Sequence, residues 1–266
     1  GQDQLNLGGS STATGGLPPN INFYLMLDSS PSMALAATTS GMQTLIANTQ
    51  SQVDSQTGSK GCAFACHESQ PSKDGLSQDN YTVARNLGLT LRIDLVQKAV
   101  KDLTTTATNT MANINASYQM ALYSFDVTLN TIQKLTSSMT TAANATSNIK
   151  LLEVCYNNRL SCSATGAGDG DMDSDFDQAM YKINNIMPNP GSGTTTAGDT
   201  PQEVLFIVTD GVNDASECTS PANSYSGGGC REQYYMNYIN ASGNTYAPPG
   251  GVDWCQTVKN RGIRIA

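Results

Sequence analysis

The chain has 266 residues, a formal net charge of −8 and only 14% charged residues. An acidic chain poor in Lys and Arg has no electrostatic footprint for nucleic acid or for an anionic membrane surface. No apolar run approaches the length of a membrane span, and the length suits one large α/β domain or two small ones.

Residues 1–20 are rich in Gly, Ser, Thr, Gln and Pro and bury almost nothing, so a flexible leader is expected there. No signal peptide stands at the start, and the sequence is expected to be a mature or trimmed soluble portion. The next stretch is the most informative. Ile21-Asn-Phe-Tyr-Leu-Met-Leu27 has the composition of a strand buried on both faces. It runs into Asp28-Ser-Ser-Pro-Ser-Met33, which no buried strand could continue. Asp28, Ser30 and Ser32 would leave the carboxyl end of the strand in a loop, with three hard oxygens able to converge on one point. That donor type suits Mg²⁺, which favours octahedral oxygen geometry.

From Met33 to Gln52 the apolar pattern is irregular, and a helical turn followed by a short helix is expected. Residues 52–80 are loop-like and contain Cys62-Ala-Phe-Ala-Cys66-His67-Glu68. A histidine after a cysteine pair invokes c-type haem attachment, but that motif has two residues between the cysteines and this one has three. A zinc site would have three good ligands here and need a fourth from elsewhere. A small disulfide-closed loop is the better expectation. Leu91, Leu95, Val96, Ala99 and Val100 then recur at helical spacing, and the pattern predicts a helix over 87–113. Residues 118–126 alternate as a strand, 127–135 could pair with it as an antiparallel edge, and 140–154 reads as an Ala-rich helix.

Asp169, Asp171, Asp173, Asp175 and Asp177 alternate in a second unusual stretch. The first three match the opening ligands of an EF-hand loop. Ser174 stands where that loop needs Gly, however, and Met180 where it needs Glu. Acidic residues at a helix start account for the run more simply. After a Pro/Gly/Ser/Thr loop, Glu203-Val-Leu-Phe-Ile-Val-Thr-Asp210 is another buried strand ending in a carboxylate. Residues 211–251 are Gly-, Ser- and Tyr-rich, with Tyr225, Tyr234, Tyr235, Tyr238 and Tyr246 suited either to a recognition rim or to packing within the loop. A short helix over 254–259 and a strand over 262–266 complete the sequence, and the end of the fold is expected to be incomplete.

The seven cysteines are spaced locally: Cys62 with Cys66, Cys155 with Cys162, Cys218 with Cys230, and Cys255 left over. Local pairs in polar loops point to disulfides and an oxidising compartment. Connectivity is not fixed by the sequence.

Asp28-x-Ser30-x-Ser32 after a buried strand resembles the metal-ion-dependent adhesion site of von Willebrand factor type A domains. The resemblance implies an α/β fold with a doubly wound, mostly parallel central sheet flanked by helices, and a metal above the carboxyl edge of that sheet. It would place the domain at 21–266, with insertions at about 36–86 and 211–251. It also implies a hydroxyl ligand five residues before a small residue at a helix start, which falls on Ser174 before Ala179, with Ser in place of the family's Thr. A carboxylate at the end of the fourth strand falls on Asp210. The phrases Asn22-Phe-Tyr-Leu-Met-Leu-Asp28, Gly61-Cys-Ala-Phe-Ala-Cys-His67, Leu91-Arg-Ile-Asp94 and Val208-Thr-Asp-Gly-Val-Asn-Asp214 further resemble TadG-like assembly proteins of tight-adherence (Flp) pili. The function so implied is a non-catalytic, extracytoplasmic adhesion or pilus-assembly module. Asp28, Ser30, Ser32, Ser174 and Asp210 would hold Mg²⁺, with Ca²⁺ or Mn²⁺ as substitutes, and a carboxylate from a protein partner would complete the shell. The alternatives are a structural pilus or filament subunit whose metal site is not essential, and a metal-assisted hydrolase. Against the hydrolase, the chain has one histidine and no nucleophile-elbow, phosphate-loop or zinc-protease motif.

Overall fold

The computed structural model describes residues 19–53, 58–156, 162, 174–210, 215–218, 230–233 and 254–266. Its centre is a five-stranded sheet in the order β3-β2-β1-β4-β7. Strands β1 (Asn20–Asp28), β2 (Ser117–Phe125), β4 (Gln202–Val208) and β7 (Arg264–Ile265) are parallel, and β3 (Leu129–Thr136) pairs with β2 antiparallel as the edge. The antiparallel edge pairing expected of 127–135 is therefore found, as β3. The expected α/β class and mostly parallel sheet are found.

Strand side chains point alternately to opposite faces, and here both faces are covered. On one face Leu25, Leu27, Met120 and Leu122 pack with Ile93, Val96 and Val100 of α3 (Arg92–Ile114) and Met139 and Ala142 of α4 (Met139–Ala145). On the other, Tyr24, Met26, Tyr123, Phe125 and Leu205 meet Phe176, Met180 and Ile183 of α5 (Phe176–Ile186) and Trp254 and Val258 of α6 (Trp254–Asn260). A strand covered on both sides has no polar face to show, which is why β1 is buried at every residue from Tyr24 to Asp28.

The helix read over 87–113 is found as α3, starting at Arg92, and a separate short helix precedes it. α2 (Asn80–Asn86) ends in a turn with Gly88 at φ 66°, and α3 starts at Arg92. The positive φ at Gly88 is open to glycine at no steric cost. Asp94 then fixes the new start by accepting the Leu91 backbone N–H at 2.8 Å, and a two-pronged ion pair from Arg85 ties the two helices together. Periodicity found the apolar stripe of α3, set its start too early and did not show α2. The helix read over 140–154 stops at Ala145, followed by one 3₁₀ turn over Thr146–Asn148. There the hydroxyls of Thr146 and Ser147 turn back onto the carbonyls of Ala143 and Asn144, a local competition that erodes helix ends. Residues beyond it run extended: Leu152 N–H donates to Ser29 O and Val154 pairs with Glu68.

The first insertion holds α1 (Thr39–Asn48), capped by the Thr38 hydroxyl on the Gly41 N–H, and the cysteine loop. That loop is joined to the main body by Ala65 N–H on Ala34 O and by a bridge between Leu35 and Phe64. In the second insertion β5 (Ala215–Cys218) and β6 (Cys230–Gln233) pair antiparallel with Cys218 and Cys230 as register partners.

Candidate functional site

Strand β1 is hydrogen-bonded to β2 on one side and β4 on the other. The chain therefore leaves the carboxyl end of β1 toward one half of the sheet and returns on the opposite side. Such a switch point opens a crevice at the carboxyl edge of an α/β sheet. Asp28 is the last residue of β1 and is fully buried; Asp126 follows β2, and Thr209 and Asp210 follow β4. Three adjacent parallel strands thus deliver carboxylates to one edge.

Asp28 Oδ1 accepts the Ser30 N–H at 2.9 Å, which bends the chain back beneath the carboxylate. Pro31 begins a 3₁₀ turn over Pro31–Ala34, and its fixed φ suits a helical start. Ser29 locks the loop to β2 by donating both its N–H (2.8 Å) and its hydroxyl (3.0 Å) to Phe125 O. Hydroxyls then surround Asp28 Oδ2: Thr209 Oγ1 donates at 2.8 Å and Ser174 Oγ lies at 3.4 Å. Ser174 Oγ also donates to Ser30 Oγ at 2.9 Å, and Ser30 Oγ and Ser32 Oγ are 2.9 Å apart. Ser174 is held there because Asp175 opens α5, its carboxylate accepting the Gln178 N–H and its own N–H donating to Asp126 O.

Asp28, Ser30, Ser32 and Ser174 therefore form one hydrogen-bonded cluster. Asp210 stands beside it, one residue past Thr209, close enough that its charge helps to raise the Asp28 carboxyl above its ordinary range. Burial is the larger cause, opposed by the hydrogen bonds from Ser30 and Thr209. Asp210 Oδ2 accepts Arg92 Nη1 at 2.8 Å. Among the described residues no Lys, Arg or His forms an ion pair with Asp28. A buried carboxylate ringed by neutral hydroxyls, with a second carboxylate nearby, is a set of hard oxygens in which Arg92 balances Asp210 and no described cation balances Asp28. A hard divalent cation fits it. Described residues contain no group of three or more His, Cys, Asp or Glu that could hold a metal, so any cation here must rely on the serines.

Thr209, Asp126 and Arg92 were not singled out by the sequence reading. Asp126 is buried, accepts from Asn130 Nδ2 at 3.0 Å and from Ser29 Oγ at 3.4 Å, and burial raises its carboxyl too. Its signal was present, since it is the third strand-end aspartate. Thr209 had the weaker signal of standing directly before Asp210. Asp169, Asp171 and Asp173, and the tyrosines Tyr225, Tyr234, Tyr235, Tyr238 and Tyr246, lie outside the described residues.

The cysteines divide. Cys155 and Cys162 form a disulfide. Cys62 and Cys66 are free thiols, where a cystine was expected. The Cys62 loop holds its shape without a covalent closure: Cys62 N–H donates to Thr49 Oγ1 at 2.8 Å and Asn80 Nδ2 donates to Phe64 O at 3.2 Å. The two thiols hydrogen-bond to each other, which pulls Cys62 down to about 6 against the opposing effect of burial and pushes Cys66 up. The pairing expected for Cys218 and Cys230 concerns side chains outside the described ones. His67 is engaged by Asp79 (3.0 Å) and Glu153 (3.5 Å) and stacks on Tyr81.

No family model and no curated protein matches the chain. Solved structures with similar chain paths include the PilB minor pilin from Streptococcus sanguinis, at 14% identity and a TM-score of 0.36 over 91% of this chain and 39% of that one. The von Willebrand factor domain of the type V pili tip protein Mfa5 from Porphyromonas gingivalis aligns at 12% identity and a TM-score of 0.33, over 78% of this chain and 44% of that one. The conserved hypothetical protein BatB from Bacteroides thetaiotaomicron aligns at 11% identity and a TM-score of 0.34, over 93% and 90%. The chain thus spans about two fifths of the length of PilB. No helix among the described residues is long and apolar enough to cross a membrane.

Proposed function

We propose that this domain binds a protein partner through a divalent cation, Mg²⁺ first, with Ca²⁺ or Mn²⁺ as substitutes. The observation that carries the reading is the convergence of the Ser30, Ser32, Ser174 and Thr209 hydroxyls on or beside the buried, unneutralised carboxylate of Asp28. Asp28, Ser30, Ser32, Ser174 and Asp210 would hold the ion, directly or through water. A cation bound there supplies an electrophilic position open to a further anionic oxygen. With only two of these five ligands charged, an Asp or Glu side chain from a partner is the matching ligand.

The chain's own part is to fix the oxygens. Ser30 N–H and Thr209 aim Asp28, Ser29 ties the loop to β2, and Asp175 seats Ser174 at the start of α5. The chain's one histidine is occupied in the insertion by Asp79 and Glu153, which favours binding over hydrolysis. The resemblance in sequence to tight-adherence pilus proteins supports an extracytoplasmic, pilus-associated setting, and the Cys155–Cys162 disulfide is consistent with an oxidising compartment.

Calorimetric titration with Mg²⁺ and Mn²⁺ tests the reading. One ion per chain is expected in the native protein, and none in Asp28→Ala or in the Ser30→Ala, Ser32→Ala double variant. Equal binding by all three proteins would remove the cluster from the function and leave a structural pilus subunit as the better account.

A further inference from the structure

Arg92 is the first residue of α3, and its backbone N–H is anchored on Leu35 O, just past the serine loop. Its side chain reaches Asp210 at 2.8 Å; that of Arg92 is 39% exposed and that of Asp210 13%. The guanidinium therefore sits on the solvent side of the carboxylate it holds. Arg85, by comparison, is forked onto Asp94 of its own helix pair and lies over the Tyr81 ring. Among the described residues Arg92 is the only Lys or Arg in an ion pair with a carboxylate of the proposed site.

The geometry points to Arg92 as the site's built-in cation: it neutralises Asp210 in the metal-free protein, gives Asp210 up as a divalent cation binds, and then grips the second oxygen of the incoming carboxylate. This rests on the cation-binding role proposed above and names what regulates it. Two cations cannot share Asp210 without mutual repulsion, so the guanidinium lowers the site's affinity for the ion. Arg92 is rooted on a helix and its side chain is partly exposed, so it can swing away without disturbing the core. A carboxylate has two oxygens; the ion takes one, and a planar guanidinium beside the ion is shaped to take the other. Ion and carboxylate should then bind cooperatively, each raising the affinity of the other by the same factor.

The test is Mn²⁺ titration of the intact chain, following free Mn²⁺ by electron paramagnetic resonance, with and without acetate as the carboxylate probe. Arg92→Gln should bind Mn²⁺ roughly tenfold more tightly than the native protein in the absence of acetate, since a unit positive charge beside the ion is gone. Acetate should tighten Mn²⁺ binding to the native protein by a larger factor than to Arg92→Gln. Arg92→Lys, which keeps the charge but loses the fork, should bind Mn²⁺ alone like the native protein and lose most of the acetate effect. Mn²⁺ binding by Arg92→Gln equal to or weaker than native, or an undiminished acetate effect, overturns the role of Arg92 while leaving the metal site standing. No Mn²⁺ bound by native protein, or binding retained in Asp28→Ala, overturns the metal site and this role with it.

Discussion

Glu203 offers a quantitative check on how burial shapes this fold. It lies on β4, is 1% exposed, and its Oε1 accepts Asn22 Nδ2 at 2.9 Å. Its Oε2 and the neighbouring Asn22 Oδ1 are buried without hydrogen-bond partners. Burial pushes the carboxyl from 4.5 up to about 7, against the pull of the Asn22 hydrogen bond, the Arg261 charge and the Tyr24 hydroxyl. The folded protein therefore holds this proton more tightly than the unfolded chain. The resulting stabilisation is complete below about pH 4.5 and is lost progressively as the pH rises to about 7. At about 1.4 kcal/mol per pH unit, the whole loss amounts to about 3 kcal/mol. Glu203→Gln removes the charge and provides an N–H for Asn22 Oδ1. It should match the native protein near pH 4.5 and exceed it by about 3 kcal/mol at pH 8. Urea unfolding followed through the fluorescence of Trp254, the chain's single tryptophan, buried against α5, reads the difference directly. A difference between the two proteins that stays within about 1 kcal/mol from pH 4.5 to 8 would refute the reasoning.

Two further outcomes follow from the same physics. Asp28→Asn relieves a buried carboxylate whose proton is held more tightly than usual. It should raise the melting temperature of the metal-free protein by about 2–4 °C at neutral pH, and it should abolish the further rise that Mg²⁺ gives the native protein. An unchanged Mg²⁺ response in calorimetric melting would contradict this. Cys62, drawn down to about 6 by its bond with Cys66, should react with iodoacetamide at pH 7 ahead of Cys66, whose thiol is pushed up. Cys66→Ala should slow it by roughly tenfold, as peptide mass spectrometry would show. Finding no label on Cys62 until a reductant is added would mean that the two sulfurs are joined.

The strongest signals in the sequence were those in which a single segment carries its own physics. Ile21–Leu27 has nothing polar but Asn22, so it had to lie between two covered faces, and Asp28 had to mark its exit. The Glu203–Thr209 run was legible for the same reason. Gly88 and Asp94 were harder, because the start of α3 is set by an αL backbone and a side-chain cap rather than by the apolar stripe. At the site, Asp28, Ser30 and Ser32 were found by spacing alone. Ser174 and Asp210 came from resemblance, and the structure sets Ser174 within the cluster and Asp210 beside it. Arg92 was visible only as a charged residue on the polar side of a helix. Its partner lies 118 residues away in sequence, and no local pattern encodes that meeting.

Two of the backbone links between the serine loop and its surroundings have a consequence for how such a domain diversifies. Ala34 is stitched to the cysteine loop, and Ser29 to the extended segment before Cys155, which is itself stitched to His67. The chain's added material is thus a collar fastened to the loop that carries the serines. Residues at the tips of that collar, such as the half-exposed Phe64, can be exchanged to suit a different surface while the sheet beneath keeps the oxygens in place.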